Sequence, residues 1–113
     1  MISAGNWRAR LSSAAERDLA SILEWINERF GPRQARLFRD ALKKAIQGLR
    51  SGPDVPGARP RSDIGAGIWS LHIATMRWRG RHLLLYRVTG ESTIEIVRIL
   101  HDSMDALRHL PTE

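Results

Sequence analysis

The fold of this chain is decided by residues 68–100, which read IWSLHIAT (68–75), MRWRG (76–80), RHLLLYRV (81–88), TGES (89–92) and TIEIVRIL (93–100). The three longer segments are rich in β-branched, leucine or aromatic residues, a composition typical of β-strands. Gly80 and Gly90 supply the backbone freedom of a tight reversal, and loops this short join only antiparallel neighbours. Because the run 83–86 is apolar throughout, we predict that the middle strand lies at the centre of the sheet.

The chain before this region is predicted to supply an edge strand and a first helix. Residues 7–11 alternate apolar and polar side chains, and the arginines among them would hinder edge-to-edge pairing with another chain. Ser13 followed by Glu16 matches a capping box, so we expect the helix to begin there. Its apolar residues recur every three or four positions and predict one buried stripe, formed by Ala15, Leu19, Ile22, Leu23, Ile26 and Phe30.

A second helix is predicted to follow at once and to run to about residue 51. Gly31 can end the first helix and Pro32 is favoured at the start of the next, so the two helices should pack antiparallel. The second helix has a buried stripe of Ala35, Phe38, Leu42, Ala45, Ile46 and Leu49, and an opposite side with Arg36, Arg39, Lys43, Lys44 and Arg50. Residues 52–61 hold three prolines and two glycines, which predicts a loop without regular structure.

These elements predict a single α+β domain over residues 1–113. An N-terminal strand and an antiparallel helical hairpin pack on an antiparallel β-sheet of three to four strands, and residues 101–110 form a short C-terminal helix or tail. The helices cover one face of the sheet. Either Leu83 and Leu85 or their alternates then lie on the other face, where an exposed apolar surface would meet a partner.

Charge is the most prominent feature of the composition. The net charge is +6, and sixteen of the eighteen cationic residues are arginines, whose planar fork suits carboxylates and phosphates. This excess indicates nucleic acid or an acidic protein surface as a partner, although it can also simply keep a small protein soluble. Cysteine is absent, no apolar run approaches the roughly 20 residues that span a bilayer, and residues 1–10 lack the apolar centre of a signal peptide. We therefore expect a cytoplasmic protein without membrane contact.

The sequence offers few candidates for catalysis or metal binding. His72, His82 and His101 lie on three different predicted strands, and the last two can meet near one end of the sheet. No cysteine or clustered carboxylate completes a metal site, so we predict no metal and no cofactor. Tyr86, the only tyrosine, lies in the apolar middle strand and is expected to be a core residue with a bonded hydroxyl.

The predicted hairpin tip, residues 76–81, carries the most distinctive surface pattern. Arg77, Trp78 and Arg79 suit contact with phosphates or with an acidic protein surface, where the indole would stack or fill a pocket. Alternatively, the tip is solvated and Trp78 folds back on the sheet.

Four parts of the chain resemble the ParE/RelE superfamily of small toxins from type II toxin-antitoxin systems, and the resemblance covers nearly the whole chain. They are LSSAAERDL (11–19), GRHLLLYRV (80–88), IEIVRILH (94–101) and the ending with MD (104–105) and RHL (108–110), of which the last three are similar to the ParE branch. This resemblance implies a toxin that binds DNA gyrase and traps its cleaved-DNA complex, with no catalytic residues. Candidate gyrase-binding residues are Arg77, Trp78 and Arg79.

The same resemblance implies a cognate ParD-like antitoxin in a toxin-antitoxin hetero-oligomer. An acidic, amphipathic antitoxin segment would fold into the groove between helices and sheet or add a strand to a sheet edge. Candidate antitoxin-binding residues are Arg81, Arg87 and Arg98.

Two alternatives stay open at this point, a ribosome-dependent mRNA endonuclease like the RelE branch and a non-toxic remnant that only binds an antitoxin. A nuclease needs cations and an acid-base pair around the ribose 2′-hydroxyl. Leu83 lies where the nuclease branch would carry an arginine, and Asp102 and Asp105 would repel phosphate. The residues therefore favour a toxin that acts by binding.

Overall fold

The computed structural model describes residues 6–73 and 82–101, and it confirms an α+β fold. The elements are β1 (Arg8–Leu11), α1 (Ser13–Phe30), α2 (Pro32–Gly48), a 3₁₀ turn (Leu49–Ser51), β2 (Arg59–Pro60), β3 (Trp69–Ile73), β4 (His82–Val88) and β5 (Thr93–His101). The strand order is β1-β5-β4-β3-β2, so β4 is the central strand, as predicted. The predicted C-terminal helix or tail lies outside the described residues.

The sheet is mixed and has five strands, where we predicted an antiparallel sheet of three to four. Strands β2 to β5 pair antiparallel along the chain, but β1 pairs in parallel with β5, with Arg8 opposite Thr93 and Leu11 opposite Ile96. Short loops require antiparallel pairing only between strands that follow each other directly. Two helices and three strands separate β1 from β5, so this rule did not apply to them.

The loop over residues 52–61 contains a short strand, so the prediction of no regular structure is wrong at β2. Arg59 pairs with Ser70, and Pro60 pairs with Trp69. Proline cannot donate a ladder hydrogen bond, but β2 is the last strand of the sheet, where a missing donor is tolerated.

Helix α1 is capped by Ser12 and not by Ser13, which corrects the predicted capping box. The Ala15 amide donates to Ser12 Oγ at 3.0 Å. Ser12 is also fixed to the sheet, since its amide donates to the Ile96 carbonyl at 2.9 Å and its hydroxyl donates to the Val97 carbonyl at 2.9 Å. The helix therefore begins directly after Ser12, the residue that joins it to the sheet.

The junction of the two helices follows the prediction, because Gly31 has φ 94° and Pro32 is the first residue of α2. Phe30 does not join the buried stripe of α1, which corrects the prediction, since it is 55% exposed. At the last position of the helix its ring packs edge-on against Trp25, with centroids 5.9 Å apart, and the Arg29 guanidinium lies 5.0 Å from the Trp25 ring. These contacts place two aromatic rings on the outer side of the helical hairpin.

Both faces of β4 are buried. On one face, Leu84 and Tyr86 belong to the core shared with the two helices, which includes Ala15, Ile26, Phe38, Leu42, Ile94, Ile96 and Ile99. On the other face lies a second buried cluster of Ile64, Ile68, Leu83, Leu85, Val97 and Leu100. The expectation of an exposed apolar sheet surface is therefore wrong at Leu83 and Leu85. The connection between β2 and β3 contributes Ile64 and Ile68 to this second cluster, a cover that the strand pattern alone did not reveal.

Neither helix in the described ranges has the length and apolar character needed to cross a membrane.

Candidate binding surface

The predicted gyrase-binding residues Arg77, Trp78 and Arg79 lie outside the described residues, as does Arg81. Their roles stay predictions.

Arg98, a predicted antitoxin-binding residue, is held within the chain by Asp18 of α1. Its Nε donates to Asp18 Oδ2 at 2.7 Å and its Nη2 donates to Oδ1 at 2.8 Å. The Ile99 amide also donates to Asp18 Oδ2, at 3.0 Å, so the carboxylate binds the backbone of β5 beyond the last residue that pairs with β1. The hydrogen bond to Asp18 raises the pKa of Arg98. Contact between Arg98 and an antitoxin carboxylate, which stays a prediction, would require this guanidinium to share or exchange its partner.

Arg87, another predicted antitoxin-binding residue, lies across from Glu95 on β5. Its Nη2 donates to Glu95 Oε1 at 3.2 Å, while Arg10 Nη2 lies 3.7 Å from the other oxygen of Glu95. Glu95 thus lies between two arginines. Its side chain is 17% exposed, while that of Arg87 is 39% and that of Arg10 67% exposed. Two cations share one carboxylate, so this part of the surface keeps a net positive charge.

A basic cleft of about 910 Å³ lies along β1 in the described structure, and we call it the β1 cleft. It is lined by Asn6, Trp7, Arg8, Ala9, Arg10, Ile46, Gln47, Arg50, Thr89 and Thr93. Three of these residues are arginines and none is a carboxylate. Sequence analysis assigned Arg8 and Arg10 only a role in hindering edge pairing. In the sequence, the signal for this cleft was the pair of arginines at alternate positions of the predicted edge strand.

The backbone around the β1 cleft is tied together at the end of α2. The Trp7 amide donates to the Arg50 carbonyl at 3.2 Å, which joins the start of β1 to the 3₁₀ turn. Gly52, with φ 127°, follows this turn, and a Cβ there would lie 3.6 Å from the Trp7 indole nitrogen. This backbone conformation strongly favours glycine, so Gly52 lets the chain turn away while Trp7 packs close to it.

The three histidines of the strands do not form a metal site with other side chains in the described part of the chain. His82 and His101 meet as predicted, as cross-strand neighbours with ring centroids 5.4 Å apart. His82 is buried and packs edge-on against Phe38, at 4.9 Å between centroids, while His72 is exposed on β3. Within residues 6–73 and 82–101, no group of three or more His, Cys, Asp or Glu residues could hold a metal ion.

Comparison with known proteins assigns the family. A family model described as the ParE toxin of the type II toxin-antitoxin system, parDE, matches residues 9–106. The chain belongs to this ParE toxin family. Two proteins named Toxin ParE1 are similar along nearly their whole length. The one from Mycobacterium tuberculosis is 37% identical over 103 residues, covering 91% of this chain and 97% of the relative. The one from Caulobacter vibrioides is 32% identical over 101 residues, covering 89% and 95%.

A solved structure shares the fold of this ParE-family chain. It is described as the chromosomal ParDE TA system from P. aeruginosa and matches with a TM-score of 0.66 and 22% identity, covering 86% of this chain and 97% of that one. The family assignment confirms the predicted resemblance to the ParE branch.

Proposed function

We propose that this protein is a cytoplasmic toxin that binds DNA gyrase and traps the enzyme's cleaved-DNA complex, which blocks replication, without catalysing a reaction itself. The observation that carries the proposal is the ParE family match over residues 9–106, since gyrase is the target that the ParE branch implies. The excess of cations supports a toxin that works by contact with an acidic surface or with the DNA held by gyrase.

The position of Tyr86 supports binding over chemistry. The ring is fully buried, and its hydroxyl donates to the Pro53 carbonyl at 2.7 Å. Leu83, where the nuclease branch would carry an arginine, is buried in the second cluster. A general acid or base must reach the proton that it transfers, and a hydroxyl bonded inside the core does not reach a ribose.

We further propose that a ParD-like antitoxin neutralises the toxin in a hetero-oligomer. The fold neighbour from P. aeruginosa is described as a ParDE system, which supports a partner of this kind. A net charge of +6 favours an acidic partner, because charge complementarity accelerates association and excludes basic competitors.

The proposal is tested with purified toxin, gyrase and supercoiled plasmid, followed by denaturation and electrophoresis. We expect linear plasmid to accumulate with toxin and not without it, and to disappear when the antitoxin is added first. A parallel reaction with translating ribosomes measures mRNA cleavage. Cut message together with intact plasmid would overturn the proposal in favour of the nuclease. Normal growth of cells that express the toxin alone would favour a non-toxic remnant.

A further inference from the structure

We propose that the β1 cleft binds the sugar-phosphate backbone of duplex DNA, independently of base sequence. This inference rests on the proposed function for its setting, because it makes the DNA of the trapped gyrase complex a direct contact of the toxin. DNA binding by the toxin is measured without gyrase, so the inference and the proposed function can fail independently.

Arginines line the β1 cleft from two sides. Ala9 and Leu11 pack against the core on the helix side of the sheet, so the alternating side chains of Arg8 and Arg10 lie on the opposite face. Arg50 belongs to the 3₁₀ turn after α2 and lines the same cleft. A phosphate backbone that runs along β1 would therefore have guanidinium groups on both of its sides.

The spacing of the two strand arginines suits a row of phosphates. Arg8 and Arg10 are two residues apart, so their side chains leave the strand roughly 6.6 Å from each other. Each planar guanidinium can donate two hydrogen bonds to one phosphate group. Arg10 is 67% exposed and its contact with Glu95 is 3.7 Å long, so it can turn toward a phosphate at little cost.

The positive surface continues beyond the cleft. Glu95 of β5 lies opposite Arg10 of β1 and also opposite Arg87 of β4, so these three side chains share the face that carries Arg8. One carboxylate thus lies within reach of two guanidinium groups, at 3.7 Å and 3.2 Å. A positive strip that crosses three strands favours an extended polyanion over a small phosphate compound.

The uncharged lining of the cleft favours contact with the backbone and not with bases. Asn6, Gln47, Thr89 and Thr93 line the cleft, and side chains of these kinds commonly donate to phosphate oxygens. No carboxylate of the described residues lines it to repel a phosphate. Trp7 also lines the cleft but packs against the core, so its ring is poorly placed to stack on an unpaired base.

Two other occupants fit less well. A second copy of this chain, paired edge to edge along β1, would bring Arg8 and Arg10 of one copy against the same residues of the other, and like charges across a strand pair are destabilising. An acidic protein surface would need carboxylates placed by its own fold to match each arginine. Duplex DNA presents one negative charge about every 1.7 Å of its axis, so any stretch of it supplies partners for all three arginines of the cleft.

The test measures binding of the full toxin to a fluorescein-labelled duplex of about 20 base pairs by fluorescence anisotropy, between about 50 and 200 mM salt. The variant Arg8→Gln with Arg10→Gln removes two cations from the cleft. We expect it to bind about tenfold more weakly than the wild type at the lowest salt, and to reduce the slope of log K against log salt by about 1.8. Two duplexes of unrelated sequence should bind the wild type within about threefold of each other.

The matched control is Arg36→Gln with Arg59→Gln. This variant has the same net charge but changes exposed arginines on α2 and on β2, at the opposite edge of the sheet from β1. It should bind DNA with nearly the salt slope of the wild type. Thermal unfolding checks that both variants are folded. Amide resonances of the ¹⁵N-labelled wild-type toxin locate the contact, and we expect DNA to shift those of residues 6–10, 47–50 and 89–93 most.

Several results would overturn the inference. They are an equal loss of DNA affinity in the two variants, shifts centred on other described residues, and a preference of about tenfold or more for one of the two duplexes. Polyglutamate that binds as tightly as DNA at equal negative charge would assign the cleft to acidic proteins instead. None of these results changes the outcome of the gyrase and plasmid assay. Conversely, a toxin that binds duplex DNA through the cleft but leaves plasmid intact with gyrase would overturn the proposed function alone.

Discussion

At the scale of single residues, the fold depends on a few polar side chains that join distant parts of the chain. Tyr86 fixes the proline-containing loop to the central strand through its bond to the Pro53 carbonyl, and Trp69 stacks beside its ring at 6.5 Å. Asp18 fixes α1 to β5 through Arg98 and the Ile99 amide. Each interaction is buried or nearly so, and a hydrogen bond is costly to lose where water does not replace it.

Tyr86 predicts a specific loss of stability in alkali. Burial raises the pKa of the Tyr86 phenol above its ordinary value, and the Asp54 carboxylate raises it further. Above pH 10 the unfolded chain ionises this tyrosine while the folded chain keeps it protonated, so the free energy of unfolding should fall by about 1.4 kcal/mol per pH unit. Below pH 10 this contribution is fully present.

Tyr86→Phe is the matched variant, because this chain has no other tyrosine. At pH 8 it should be less stable than the wild type by about 1 kcal/mol, the value of the lost hydrogen bond. By pH 11 the difference should shrink or reverse. Urea unfolding of both proteins at the two pH values measures this, and parallel losses of stability between pH 8 and pH 11 would contradict the prediction.

Asp18→Asn should lower the free energy of unfolding by about 2 kcal/mol, because it leaves the Arg98 guanidinium, 19% exposed, without its carboxylate. Glu24→Gln changes an exposed acid on the same helix and should shift stability by less than about 0.5 kcal/mol. Denaturant unfolding of the two variants compares them directly. Equal effects would mean that the pair of Asp18 and Arg98 contributes nothing beyond surface charge.

At the scale of elements, patterns within short stretches of sequence predicted those helices and strands that depend on neighbouring residues. The helix junction at Gly31 and Pro32 and the apolar run 83–86 placed two helices and the three antiparallel strands correctly. Gly90 does not adopt the positive φ that its turn signal predicted, and Gly80 lies outside the described residues. The central position of β4 followed from apolar residues at consecutive positions, since both sides of that strand must be buried.

The features that the sequence did not predict depend on contacts between residues that are far apart in the sequence. The parallel pairing of β1 with β5 and the second cluster under Ile64 and Ile68 carry no local signal. The predicted helix cap was one residue too late, because two serines are adjacent and Ser12 is distinguished by its bonds to the distant Ile96 and Val97 carbonyls. The β1 cleft was missed for the same reason, since Arg50 is far from Arg8 and Arg10 in sequence.

The role predicted for residues 76–81, which lie outside the described residues, stays a prediction. Replacing Arg77, Trp78 and Arg79 by alanine should weaken toxicity more than folding, because aromatic and arginine side chains dominate binding energies at interfaces. We expect growth arrest to require about tenfold more toxin, while the urea midpoint changes little. Growth curves at graded induction, with toxin levels measured by blotting, give the comparison. Unchanged arrest would mean that the tip makes no functional contact.

At the scale of the whole molecule, the proposed function is that of a basic protein that holds its target. Helices cover one face of the sheet, the second cluster fills part of the other, and arginines lie along the β1 edge. A toxin that acts by binding is needed in an amount comparable to that of its target, whereas one molecule of a catalyst modifies many target molecules. The ratio of toxin to target therefore distinguishes the two modes of action.

The most direct measurement is a titration of toxin against a fixed amount of gyrase and excess supercoiled plasmid, with linear DNA quantified after denaturation. The account predicts that linear DNA rises in proportion to toxin and stops rising once every gyrase is occupied. A trace of toxin that continues to destroy a target molecule with time, or intact plasmid at every ratio of toxin to gyrase, would contradict it.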